Sequence, residues 1–318
     1  MHSIAIGMLA TMLLLAGLSA QTATPPAPQM MKIGFQKSST LITVLKTQGR
    51  LDQALSKLGV KVQWAEFMSG PPLLEALNVG SIDLTADVAD TVPIFAQAAG
   101  AGLVYFASEA PSPTAQAILV PASSSIRSVS DLKGKKVAVS KGTGGHYLLI
   151  AALMHNGLAF KDITPAYLSP ADGRAAFERG SVDAWVTWDP FLAAAQQQAG
   201  ARILVDGRNI ASYQRYYLSS TGFAASRPNV LRVIFDELGN TGKWAKARPK
   251  DAAVLLSPIW GLEVPIVEQA NDRRSYDVRA VTAANLADQQ SIADTFFKEG
   301  LLPRPIEVAR AKIWQPSS

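Results

Sequence analysis

The chain has no cysteine in its 318 residues, which removes disulfides, thiolate metal sites and a cysteine nucleophile together. Histidine is nearly as scarce. His2, His146 and His155 are too few and too scattered to build a histidine metal cluster. Runs of one charge are missing as well: the net charge is +5, but Lys and Arg stand singly among acidic residues, so no basic stripe is offered to nucleic acid. The GxSxG elbow of the hydrolases is absent. No GK[ST] follows the glycine-rich bend at 142–145, and the dinucleotide pattern there lacks its last glycine, because Tyr147 stands in its place. These absences leave no metal, cofactor or nucleophile with a sequence signature.

What is present is a core-forming composition, 48% hydrophobic and 17% charged, enough for one large or two medium domains. The first twenty residues differ from the rest. Ile4 to Ala16 is an apolar run too short to span a bilayer comfortably, and Gly17 to Ala20 is a small-residue stretch suited to cleavage. Residues 1–20 are therefore read as a secretory signal, with an uncleaved anchor as the alternative. A lipid-anchored form would need a cysteine after the run. Residues 21–30, rich in proline and glutamine, read as an extended tether.

From residue 31 onward strand and helix signals alternate, the pattern of an α/β fold with a largely parallel sheet. Strands are expected at Lys32–Gln36, Lys61–Phe67, Ile82–Leu84, Leu103–Phe106 and Gln116–Val120, with helices over Leu41–Leu58 and Pro71–Val79. EAPSPT, at 109–114, is a proline-marked crossing segment. The order then restarts, and Gly80-Ser81-Ile82-Asp83 is echoed by Gly180-Ser181-Val182-Asp183. Two related lobes follow, one from 31–113 and 219–318, the other from 114–218. Glycine ending a helix before a buried strand would explain the echo by geometry alone.

The stretch KKVAVSKGTGGHYLLIAAL, 135–153, reads as strand, bend and helix, with free amides at the helix start that attract an anion. Glycine there is also explained by the turn itself. Two α/β lobes enclose a cleft, and ligands in such sheets lie at the carboxyl ends of strands. Those ends carry Gln36-Lys37-Ser38-Ser39, Ser69-Gly70-Pro71, Asp87 to Asp90 and Thr91, Gly142-Thr143-Gly144-Gly145-His146, and Thr187-Trp188-Asp189-Pro190.

Taken in order, IGFQKSS, EFMSGPPLLEALNVGSIDL, PIFAQAAGAGLVY, DLKGKKVAVSKGTGGH, SPADGRAAFERGSVDAWVTWDP and KIWQP resemble the periplasmic aliphatic-sulfonate-binding proteins of ABC importers over nearly all of residues 31–315. The resemblance implies a type II two-lobed periplasmic binding protein: a monomer without catalysis or cofactor that binds a small organosulfonate and delivers it to a membrane permease. Taurine, nitrate or a sulfate ester are the alternative ligands. The enzyme alternative, a relative that makes the thiamin pyrimidine, depends on a cysteine-rich signature that this chain lacks. The loop Thr85-Ala86-Asp87-Val88-Ala89-Asp90-Thr91 departs from the family pattern and is one residue longer.

Substrate contacts are accordingly expected from Gln36, Lys37, Ser38, Gly70, Pro71, Asp90, Thr91, Thr143, Gly144, Gly145, His146, Trp188 and Asp189. Lys37 would supply charge, Ser38 and Thr143 hydroxyls would join the amides around Gly144, and Trp188 would cover an alkyl tail or fill the inter-lobe core. His146 is expected to bind either as a cation or as a neutral donor. Asp90 is expected to cap the following helix, and Asp189 to do the same with Pro190 at the first helical position.

Overall fold

The computed structural model describes residues 29–316, so the expected signal and most of the tether lie outside the described residues. The first lobe begins with strands β1 (Gln29–Gln36), β2 (Val60–Phe67), β3 (Leu84–Thr85), β4 (Val88–Ala89) and β5 (Leu103–Glu109). The chain crosses at 110–115 into the second lobe, which contains β6 (Gln116–Val120), β7 (Lys136–Val139), β8 (Thr164–Tyr167), β9 (Ala184–Trp188) and β10 (Arg202–Asp206). It crosses back at 207–214 and adds β11 (Arg215–Ser220), β12 (Val278–Arg279) and β13 (Lys312–Ile313) to the first sheet. Arg215 to Leu218 pair with β5, so these four residues belong to the first lobe instead of the second, where the sequence reading had put them.

The two sheets share one topology. The order β5-β11-β3-β1-β2 in the first matches β10-β6-β9-β7-β8 in the second, and in each the strand arriving from the other lobe is antiparallel to its neighbours. The repeated Gly-Ser-x-Asp explains itself in this frame. Gly80 and Gly180 take φ of 72° and 68°, a left-handed conformation that closes each preceding helix, and Ser81 and Ser181 donate back to Ala76 and Ala176. Asp83 and Asp183 then accept the backbone N–H of Lys32 and Lys136 at 2.7 and 2.8 Å, which ties the start of β3 to β1 and the start of β9 to β7.

The lobes are pressed together on both sides of the crossing segments. On one side the helix Phe191–Gln198 places Ala193 and Ala194 against Val44, Leu256, Val267 and Ala270 of the first lobe. On the other, Phe296 of the helix Ala283–Lys298 meets the rings of His146 and Tyr147 at 5.6 and 6.1 Å. Burying apolar surface at about 25 cal/mol per Å2 makes such seams favourable, and the same seams must separate if the cleft is to open. No helix among the described residues is long and apolar enough to cross a membrane.

Candidate ligand-binding site

Strand ends of both lobes converge on a small cavity. Gln36, Gly70, Ala89 and Val92 line it from the first lobe, Thr143, Gly144 and Trp188 from the second, with Tyr213 and Arg215 where the chain returns. The volume open to water centres is about 20 Å3, room for one or two solvent molecules. A larger hollow of about 430 Å3 by the same measure lies outside the first lobe between Gln97, Arg304 and Lys312, away from these strand ends. Because ligands in such sheets sit at strand carboxyl ends, the cleft is the candidate site.

Helices start at Gly70, Thr91 and Gly144, so first-turn amides with no partner inside their own helices gather at the cavity wall. The loop before Gly144 is fixed by three bonds. Gly142, at φ +74°, donates its N–H to His146 Nδ1 at 3.2 Å and accepts from Thr91 Oγ1 of the opposite lobe at 3.3 Å. Thr143 Oγ1 donates to the Ser140 carbonyl at 2.7 Å, so its proton is committed to the loop and only its oxygen and the neighbouring amides face outward.

Arg215 is the one cation lining this cavity, and it is 3% exposed. Its Nε abuts the Asp87 carboxylate, Nη1 donates to Tyr213 Oη at 2.9 Å and Nη2 to the Asp87 carbonyl at 3.2 Å. One N–H on each terminal nitrogen is left over. Asp87 also pairs with Arg274 at 3.2 Å, and Arg274 with Glu109 at 2.8 Å, while Tyr217 donates to Glu109 at 2.7 Å. Burial works against the Asp87 carboxylate, but Arg215 and Arg274 together outweigh it and hold it below the usual range. Gln36 Nε2 donates to the Asp87 carbonyl at 3.3 Å, joining the cavity wall to this network.

Several expected contacts lie elsewhere. Lys37 is exposed and does not line the cavity, and its backbone carbonyl accepts from Trp260 Nε1 at 2.6 Å. Ser38 is buried in the turn after β1, outside the wall. Pro71 packs toward Gly142 across the cleft, and Gly145 faces Val186 of its own lobe. Asp90 caps the helix Thr91–Ala98 as expected, accepting from Thr91 N–H at 3.0 Å and Gln214 N–H at 3.1 Å. Burial nevertheless pushes it up to about 7. Asp189 is turned to Arg273 at 3.0 Å and to Ala193 N–H, an ion pair between lobes. Pro190 precedes the helix Phe191–Gln198 and does not form its first turn.

Of the two forms expected for His146, the structure favours the neutral one. Its ring is enclosed by Phe160, Tyr167 and Phe296 at 5.3 to 5.6 Å, and Nδ1 accepts a hydrogen bond, so the neutral form is the one that fits. Burial lowers its pKa to about 4, with Lys141 adding to the effect. A depressed histidine favours the closed protein above 6.5 and costs stability as pH falls toward 4. Ligand affinity is expected to fall by up to about thirtyfold between pH 7.5 and 5, because lobe opening releases Phe296 and lets the ring protonate. Asp90 runs the opposite way, its contribution being lost as pH rises through 7. Calorimetry on wild type and His146→Leu isolates the histidine part. An affinity that rises on acidification only in the wild type would show a charged His146 serving the ligand.

Sequence reasoning missed Tyr213, Arg215, Arg274 and Glu109. A usable signal was there: Arg215 interrupts the aromatic and apolar stretch Tyr213 to Leu218, and a buried strand tolerates arginine only with a partner.

With this geometry in view, residues 56–252 match the NMT1/THI5-like family. The chain belongs to that family. A curated relative from Escherichia coli (strain K12), named for binding aliphatic sulfonates, is 41% identical over 96% of both chains. Among solved structures, the alkanesulfonate-binding protein SsuA from Xanthomonas axonopodis pv. citri, bound to MOPS, is 39% identical with a TM-score of 0.85, covering 92% of this chain and 99% of that one. The periplasmic aliphatic sulphonate binding protein SsuA from Escherichia coli is 40% identical with a TM-score of 0.83, covering 91% and 93%. The two-lobed α/β fold is thus that of periplasmic binding proteins, and these relatives are binding proteins, not enzymes.

Proposed function

We propose that this chain is an extracytoplasmic solute-binding protein of an ABC importer that closes on aliphatic sulfonates and hands them to a membrane permease. The observation that carries this reading is the cleft itself: helix starts of both lobes, at Gly70 and Gly144, and the cation Arg215 line a cavity with room for one or two waters. A sulfonate has three acceptor oxygens and one charge, which suits many neutral donors and one matched cation. The near-full-length similarity to sulfonate-binding relatives supports the same ligand class. The leader is read as an export signal, and a mature N-terminus near Gln21 checks that part.

Trp188 closes the cavity edge-on to Phe191, at 6.1 Å between ring centroids. It is assigned the alkyl tail. Trp188→Ala is expected to cost about 0.8 kcal/mol for each methylene it leaves uncovered, so the loss grows from methane- to butane- to octanesulfonate. Calorimetry with these three, with taurine, nitrate and sulfate alongside, tests ligand class and tail assignment together. Equal weakening of all three sulfonates would remove Trp188 from the tail, and tighter nitrate or sulfate binding would overturn the sulfonate reading.

A further inference from the structure

Behind the cavity, four ionised side chains are almost fully excluded from solvent: Arg215 and Arg274 at 3% exposure, Glu109 at 1% and Asp87 at 0%. Their charges sum to zero. They are joined in sequence, Arg215 to Asp87, Asp87 to Arg274 and Arg274 to Glu109, and no other lysine or arginine lines the cavity. Arg273 is matched by Asp189, and Asp90 can only subtract charge. Glu109 ends β5 at the first crossing segment, and Arg215 opens β11 after the second, so the network bridges both connections between lobes.

Building on the sulfonate reading, we propose that Glu109 is a specificity-determining residue acting from outside the cavity: it cancels the second arginine, so that the cleft accepts singly charged anions over doubly charged ones of the same shape. A cation left unmatched here would attract a charge of −2 twice as strongly as a charge of −1. Methanesulfonate and sulfate share the tetrahedral head and differ by one charge, and they are the probes.

Glu109→Gln adds one positive charge and keeps one acceptor oxygen for Arg274, while its amide NH2 replaces the oxygen that accepts from Tyr217, whose hydroxyl can turn to accept instead. A unit charge acting over roughly 10 Å at an effective dielectric of 20 shifts the sulfate-to-methanesulfonate affinity ratio toward sulfate by about tenfold. Calorimetry on wild type, Glu109→Gln and Glu109→Gln/Arg274→Gln reads the ratio. The double variant restores neutrality and is expected to return to the wild-type ratio. A purely structural role would weaken both anions by the same factor and leave the ratio unchanged. Asp87→Asn adds the same charge from the other side of Arg274 and is measured if Glu109→Gln does not fold. An unchanged ratio in the folded variant, or no return in the double variant, overturns the proposal. A wild type that binds no sulfonate at all would instead refute the ligand reading on which it rests.

Discussion

Replacing Arg215 with methionine is expected to destabilise the protein by about 3 kcal/mol and to weaken sulfonate binding by roughly 10- to 150-fold. The first effect follows from Asp87, which has 0% exposure and would keep only Arg274, at 3.2 Å, as a cationic partner. Breaking a buried pair costs about 3–5 kcal/mol, and the surviving arginine places the loss at the lower end. The second effect follows from Arg215 being the cation that lines the cavity with N–H groups left over: a hydrogen bond to a charged group is worth about 1.5–3 kcal/mol, and the stated range is the loss of one such bond. Asp87→Asn separates the two. In the double variant Arg215→Met/Asp87→Asn no carboxylate is stranded, so part of the stability returns while binding stays lost. Urea denaturation and calorimetry on the single and double variants measure both. Wild-type affinity in Arg215→Met would remove the arginine from the site.

The local fold was legible wherever short-range chemistry decides. The glycines at 80 and 180 and the apolar runs of β6 and β7 placed helix ends and strands within a residue or two. The helix expected over Leu41–Leu58 is broken at Gly49, whose φ of 65° splits it into Thr40–Thr47 and Arg50–Ser56. The helices Pro249–Trp260 and Val264–Asp272 had no counterpart in the sequence reading, because prolines at both starts and at Pro258 masked their periodicity.

At the site, residues presented by a strand end were legible as a class. Gln36, Gly70, Thr143, Gly144 and Trp188 were all expected, and all line the cavity. What the sequence withheld was side-chain direction and long-range pairing. His146 lies four residues from Gly142, close enough for its ring to turn back onto that amide instead of outward. Lys37 follows Gln36 directly, yet β1 ends at Gln36 and Lys37 lies in the turn closed by Ser39 N–H onto the Gln36 carbonyl, where it is exposed. Arg215 meets Asp87 across 128 residues, a contact that only the closed sheet creates.

Gly144 is where closure is most exposed to a small change, and Gly144→Ala is expected to reduce ligand affinity by about 5- to 150-fold with little effect on the folding of either lobe. A Cβ at this position would lie 2.7 and 2.8 Å from the Tyr213 ring and 3.2 Å from Ala89 Cβ, both across the cleft. Tyr213 cannot swing aside cheaply: it is 2% exposed, and its hydroxyl accepts from Arg215. Its own backbone is held at φ 51°, an uncommon conformation for a bulky residue, which further fixes the ring. The methyl therefore acts as a wedge between lobes, and overpacking of this kind costs about 1–3 kcal/mol, or the stated range of affinity at 1.4 kcal/mol per tenfold. Gly145→Ala is the matched control. Its Cβ would meet Val186 of the same lobe at 3.3 Å, so its cost falls on the stability of that lobe before closure. Small-angle scattering with and without sulfonate, beside calorimetry, distinguishes the two. Gly144→Ala should stay open where the wild type closes, and a Gly144→Ala variant that closes and binds normally would show that the lobes do not meet at Tyr213 when ligand is bound.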